Sequence, residues 1–124
     1  MKKLLFVFVG LLCSVGIFAQ TNFQELSLEK ACEQARAENK AIFLDCYTSW
    51  CGPCKMMAPI FDELNKEEDK VKFCKVNVDD ERDLAMEFGI ESIPTLLCIK
   101  GGKVVKRLVG YREKDALKKE LEAL

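Results

Sequence analysis

Two cysteines separated by two residues, Cys51 and Cys54, are the side chains of this sequence best suited to chemistry. They lie in Ser49-Trp50-Cys51-Gly52-Pro53-Cys54-Lys55-Met56-Met57, just after an apolar run, Ala41 to Tyr47, that reads as a buried strand. Met56, Met57, Ile60, Phe61 and Leu64 then recur at helical spacing, so the pair stands at a strand-to-helix junction. A helix N-terminus carries partial positive charge and unpaired N–H groups, which favour a thiolate over a thiol. Cys51 falls at that end, and Cys54, about one turn on, is close enough to bond to it. Pro53 suits the first turn, where its missing N–H is no loss. The spacing supports a reversible dithiol/disulfide switch.

Other uses of the pair meet obstacles. A structural zinc site needs four ligands, and this chain has no histidine and no second CxxC among Cys13, Cys32, Cys46, Cys74 and Cys98. The absence of histidine also excludes c-type haem attachment and a Cys–His nucleophile. No metal or cofactor is implied.

The 124 residues make one domain, about half of them apolar, with no repeat and no low-complexity stretch. Residues 1–19 differ in kind. Lys2-Lys3 is followed by an apolar run broken only by Gly and Ser14, with no acid before Glu25. This is the layout of a secretory signal peptide, too short for a comfortable membrane span. Cleavage is expected after Ala19, with Gly16 as the alternative because Ile17 at the −3 position is not small. A lipoprotein reading of Cys13 is disfavoured by the bulky Leu12 before it. An uncleaved anchor is the other outcome, and either way residues 20–124 lie outside the cytoplasm, in the periplasm or an equivalent compartment. Removing the segment takes away Lys2, Lys3 and no acid, which moves the formal charge from −1 to −3. That mild balance points away from nucleic acid and anionic membranes, and a monomer is expected. Six cysteines remain. In a short exported chain they could form a disulfide framework, but four fall in apolar strands or on a helix face, where cysteine serves as a small hydrophobe.

The elements that must hold the pair follow in order. Ser27 is a plausible N-cap for a helix to about Asn39, with Leu28, Ala31, Cys32 and Ala35 on one face. The strand Ala41 to Tyr47 is apolar on both faces except for Asp45, as in a sheet covered on both sides. An acid there is costly unless partnered or protonated, which marks Asp45 as functional; the bland alternative is a solvated acid at a strand end. The helix from Cys51 to about Lys66 contains Pro59. A charged loop leads to a parallel strand, Val71 to Val78, then a short helix, Glu81 to Phe88, ended by Gly89. Pro94 must begin the next strand, with a cis bond as one option, because it cannot donate in mid-strand. Gly101-Gly102 makes a tight hairpin, Lys103 to Tyr111 returns antiparallel, and Ala116, Leu117, Leu121 and Leu124 line a last helix.

This α-β-α-β-α-β-β-α order gives an α/β fold with a central mixed sheet flanked by helices. From about Phe23 onward the chain resembles thioredoxin. The matching stretches are Leu44-Asp45, Trp50 to Met56, Ala58-Pro59, Lys75 to Asp79, Phe88 to Ile90, Ile93 to Leu96, Gly102 and Val109-Gly110. The helix before the first strand, ending in Lys40, is similar to the exported branch of thioredoxin-like proteins. The resemblance implies the thioredoxin fold and a protein-disulfide reductase. Cys51 would attack, Cys54 would resolve, Asp45 would lie behind Cys54 and shuttle its proton, and Lys75 would tune that acid. Pro94 would be cis, facing the disulfide and presenting backbone to an extended substrate. Trp50, Gly52, Pro53, Ile93, Val109 and Gly110 would form an apolar docking patch. Partners would be proteins carrying disulfides and a membrane or soluble electron donor. Cys46 and Tyr47 depart from the large aromatics usual there, and Ser92 from a frequent glycine. Strand alternation turns Cys46 away from Asp45, yet a second thiol so near also opens an alternative disulfide.

Direction rests on the residues between the cysteines. Gly-Pro supplies no cation, and the histidine often found there in strong oxidants and isomerases is absent. A reductase is therefore favoured. An oxidase or isomerase of exported proteins, and a binding module without turnover, are the alternatives; Cys51, Cys54, Asp45, Lys75 and Pro94 occurring together speak against the last.

Overall fold

A computed structural model describes residues 28–124. The expected signal peptide with its cleavage points, Cys13 and the Ser27 cap lie outside the described residues. Four helices and four strands follow in order among these residues: α1 (Leu28–Ala37), β1 (Ala41–Tyr47), α2 (Gly52–Glu67), β2 (Val71–Asn77), α3 (Arg82–Glu87), β3 (Thr95–Lys100), β4 (Lys103–Val109) and α4 (Lys114–Glu122). The order matches the sequence reading, and the ends move by one or two residues. Helix α1 stops before Asn39, which is left-handed (φ 54°), while the Lys40 N–H closes onto the Ala35 carbonyl at 2.8 Å.

The sheet runs β2-β1-β3-β4. Strands β1 and β2 are parallel, whereas β3 is antiparallel to both β1 and β4. The short α3 connection thus brings β3 to the far side of β1 in reversed direction. At the hairpin both glycines are left-handed (Gly101 φ 60°, Gly102 φ 78°), the backbone a two-residue turn requires.

Burial explains why β1 is central: its first six residues are all buried. Alternation splits them between two cores. Phe43 joins Phe73, Leu96, Cys98 and Leu108 beneath Met57, Phe61 and Leu64 of α2 and Leu117 and Leu121 of α4. Phe43, Phe61 and Phe73 form a ring cluster with centroids 5.1–5.6 Å apart. Ile42, Leu44 and Cys46 face the other way, with Leu97, Ile99 and Ala35 of α1, and with Phe88 and Ile90 at the end of α3. Cys46 therefore points opposite to Asp45, as alternation predicts. No helix among the described residues is long and apolar enough to cross a membrane.

Candidate active site

Cys51 is the N-cap of α2, extended at φ −81° and ψ 116°, and α2 begins with Gly52 and Pro53. No acid occupies the first turn, so nothing offsets the helix dipole there. Cys51 and Cys54 are disulfide-bonded, with Cα atoms 5.2 Å apart. The Cys54 N–H donates to the Cys51 Sγ at 3.2 Å. This is one of the orphan N–H groups of the helix start, and on reduction the same donor favours a Cys51 thiolate. Both sulfur residues are nearly covered, Cys51 at 5 % and Cys54 at 3 % exposure.

The remaining free thiols among the described residues are Cys32, Cys46, Cys74 and Cys98. Cys46 and Cys98 are buried in apolar clusters on opposite faces of the sheet, as small hydrophobes. Burial, aided by Asp45 and opposed by Arg107, pushes the Cys46 thiol up to about 12. Cys46 is a free thiol packed in the cluster on the α1 side of the sheet, facing away from Asp45.

Asp45 is 2 % exposed and one of its carboxyl oxygens, Oδ1, has no hydrogen-bond partner. Burial raises its pKa from 3.8 to about 7; Lys75 opposes that rise and Asp62 adds to it. The strand-end, solvated alternative is thereby excluded. Lys75 lies beside Asp45 in the parallel register of β2 against β1. Its ammonium is bonded to Asp62 of α2 at 3.0 Å and lies 5.5 Å from the centre of the Phe61 ring. Lys75 thus acts on Asp45 through space, while its close contact is to a second acid. Asp62 was not legible as part of the site, because its role depends on α2 crossing over β2. Thr48, another residue the sequence did not mark, buries a hydroxyl without a partner just before Ser49-Trp50.

The expected docking residues differ in their exposure. Trp50 is 68 % exposed and its indole Nε1–H donates to Asp79 Oδ2 at 2.7 Å. That bond orients the ring while leaving its face to solvent, and it too joins residues far apart in sequence. Gly52, Pro53 and Val109 are exposed, and Ile93 and Gly110 are half-buried. The Ile93–Pro94 bond is cis, and Pro94 is buried immediately before β3. Its carbonyl accepts the Gly110 N–H at 2.8 Å. That bond ties the cis-proline loop to the end of β4, and the Pro94 nitrogen itself carries no hydrogen to donate. Gly110 meets this geometry with φ 88°, and the Thr95 hydroxyl donates to the Ser92 carbonyl at 2.7 Å, bracing the same loop.

A disulfide pair at a helix start, a buried acid in the central strand and a cis proline at the head of β3 are set on a four-stranded mixed sheet. The family model described as Thioredoxin matches residues 17–123. This chain belongs to the thioredoxin family. Thioredoxin from Alicyclobacillus acidocaldarius subsp. acidocaldarius is 44% identical over 90 residues, 72% of this chain and 86% of that one. Thioredoxin from Bacillus subtilis (strain 168) is 42% identical over 96 residues, 74% of this chain and 92% of its own. The crystal structure of a thioredoxin from Nicotiana alata superposes with a TM-score of 0.72 at 37% identity, covering 82% of this chain and 87% of that one. As a thioredoxin, the chain is a thiol–disulfide oxidoreductase that acts on protein disulfides and is itself re-reduced by a reductase.

Proposed function

We propose that this thioredoxin works outside the cytoplasm as a reductase of protein disulfides. The observation that carries the direction is the Gly52-Pro53 bridge within the first turn of α2. The Cys51 sulfur is stabilised there by a helix start and one N–H, with no added cation. The observation that carries the location is the basic, then apolar, segment 1–19.

In the proposed cycle the Cys51 thiolate attacks one sulfur of a substrate disulfide and the other sulfur leaves as a thiolate. Cys54 then attacks the Cys51 sulfur, closing the Cys51–Cys54 bond and releasing the reduced substrate. The closure is fast because Cys54 is held one turn away. Asp45, poised near neutrality, takes the Cys54 proton during closure, and Lys75 and Asp62 set its readiness. Trp50, Gly52, Pro53, Ile93, Val109 and Gly110 receive the substrate around the cis Pro94. A membrane or soluble reductase returns the electrons; in the Mycobacterium leprae relative named bifunctional thioredoxin reductase/thioredoxin both parts share one chain.

The Cys51–Cys54 equilibrium against glutathione tests the direction. A potential near ~−270 mV is expected for a reductase; a value near ~−120 mV would identify an oxidant. N-terminal sequencing of the fractionated native protein tests the location. A mature chain beginning at Gln20 is expected, and a cytoplasmic chain retaining Met1 would sink the proposal.

A further inference from the structure

The reductase pair leaves two half-buried thiols unused. Among the four free cysteines of residues 28–124, Cys46 and Cys98 are sealed in the cores, whereas Cys32 and Cys74 remain partly open to solvent. Both pack against the same apolar cluster, on the face of the sheet that α1 covers.

The packing of α1 sets these two opposite each other. Lys72 of β2 reaches α1 through a hydrogen bond to Gln34 and pairs with Glu38, just past its end, at 3.7 Å. Cys74 lies two residues further along β2, on the same face as Lys72, ~6.6 Å away. Helix α1 runs against the direction of β2. Its C-terminal end leads into Ala41, which is in register with Val71, while Leu28 and Cys32 share a groove with Val76 and Asn77. At ~1.5 Å per residue, ~6.6 Å back along α1 is about four residues. From the middle of the Gln34–Glu38 turn that step arrives at Cys32. The residues by which α1 seats itself are Ala31 and Ala35, the only buried residues of the helix. Leu28 also packs on that cluster at the first turn, but from Ala31 to Ala35 only alanines are buried, so helix and strand backbones can come close enough for a bond that needs Cα atoms within about 7 Å.

We propose that Cys32 and Cys74 form a second dithiol/disulfide pair, which clasps α1 onto edge strand β2. The oxidant is a disulfide, either of a small molecule or of a protein that this family exchanges with. The Cys32 thiolate attacks one sulfur of it, expelling the other as a thiolate and leaving a mixed disulfide. Cys74, deprotonated, then attacks the Cys32 sulfur and expels the second thiolate. The two thiols lose two electrons and two protons, and the external disulfide becomes two thiols.

Electrostatics agrees with this order. Burial raises the Cys32 pKa while Arg36, one turn on, lowers it. Burial pushes the Cys74 thiol up to about 11, with Lys72 opposing and Cys32 adding to the rise. Two largely protonated thiols react slowly at neutral pH, so the clasp closes under sustained oxidation and does not compete with turnover at Cys51.

The test is to hold the full-length protein in oxidised glutathione until Cys51–Cys54 is fully oxidised and beyond. Free thiols are then blocked, and the peptides are mapped by mass spectrometry without reduction. A peptide joining Cys32 to Cys74, two hydrogens lighter than the free pair, is expected, together with a higher urea midpoint that dithiothreitol abolishes. In Cys74→Ala the intermediate should persist as a glutathione adduct on Cys32, while insulin reduction by the unoxidised variant stays at the wild-type rate. Both thiols still blockable when Cys51–Cys54 is oxidised would overturn the proposal. So would a glutathione adduct on wild-type Cys32 that never resolves, or a Cys32–Cys32 link between two chains. The wild-type peptide map decides the matter whether or not the variant folds.

Discussion

Replacing Asp45 by Asn removes a charge that the fold resists and the reaction uses. In the folded protein burial carries the Asp45 pKa from 3.8 to about 7. In the unfolded chain it returns to the ordinary carboxylate value. Between those two values the unfolded state gives up its proton while the folded state keeps it. Stability therefore falls by ~1.4 kcal/mol per pH unit across that window, and levels off above about pH 7. The gap of roughly three pH units corresponds to ~4 kcal/mol lost between pH 4 and pH 8. A side-chain amide cannot ionise, so Asp45→Asn escapes this loss, although the amide carries a fixed cost in the same dry site. That fixed cost cancels when each protein is compared with itself across pH. Urea denaturation of both proteins from pH 4 to pH 8 should show the stability difference moving by several kcal/mol in favour of Asp45→Asn. Turnover should move the opposite way, because Cys54 loses the group that accepts its proton. Parallel pH–stability curves for the two proteins would refute the raised pKa. Unchanged turnover beside the expected stability shift would make Asp45 a structural acid only.

Cys51→Ser should abolish dithiothreitol-driven reduction of insulin, while Cys54→Ser should accumulate mixed disulfides with substrate, visible on non-reducing gels. Trp50, the only tryptophan of the chain, adjoins the disulfide, so its emission should brighten on reduction; no change would separate the indole from Cys51. Phe61→Ala removes the ring that stacks on Phe43 and meets Phe73 edge-on, and should cost ~3–5 kcal/mol in urea denaturation. A loss under about 1 kcal/mol would mean that α2 collapses into the cavity.

Local chemistry made much of this protein legible before any folding was considered. A CxxC flanked by an apolar run and a helical repeat can be read because dipole, capping and ring size act within a few residues. Pro94 ahead of an apolar strand, and Gly101-Gly102 between two such strands, are equally local constraints. The alternation in β1 was enough to set Cys46 and Asp45 on opposite faces, since the pleat has a period of two. An acid in an otherwise apolar strand announced its own cost.

Only the tertiary structure decided who answers these groups. Lys75 bonds Asp62, Trp50 donates to Asp79, and Gly110 takes up the Pro94 carbonyl, each pair joined by chain that has crossed the sheet or turned back along it. Such partners depend on the angle and register of packed elements, which no short window of residues contains. The reversed direction of β3 and the seating of α1 beside β2 belong to the same class. Residue type determines what a side chain demands, and the pKa of Asp45 shows that burial by distant segments determines whether the demand is met.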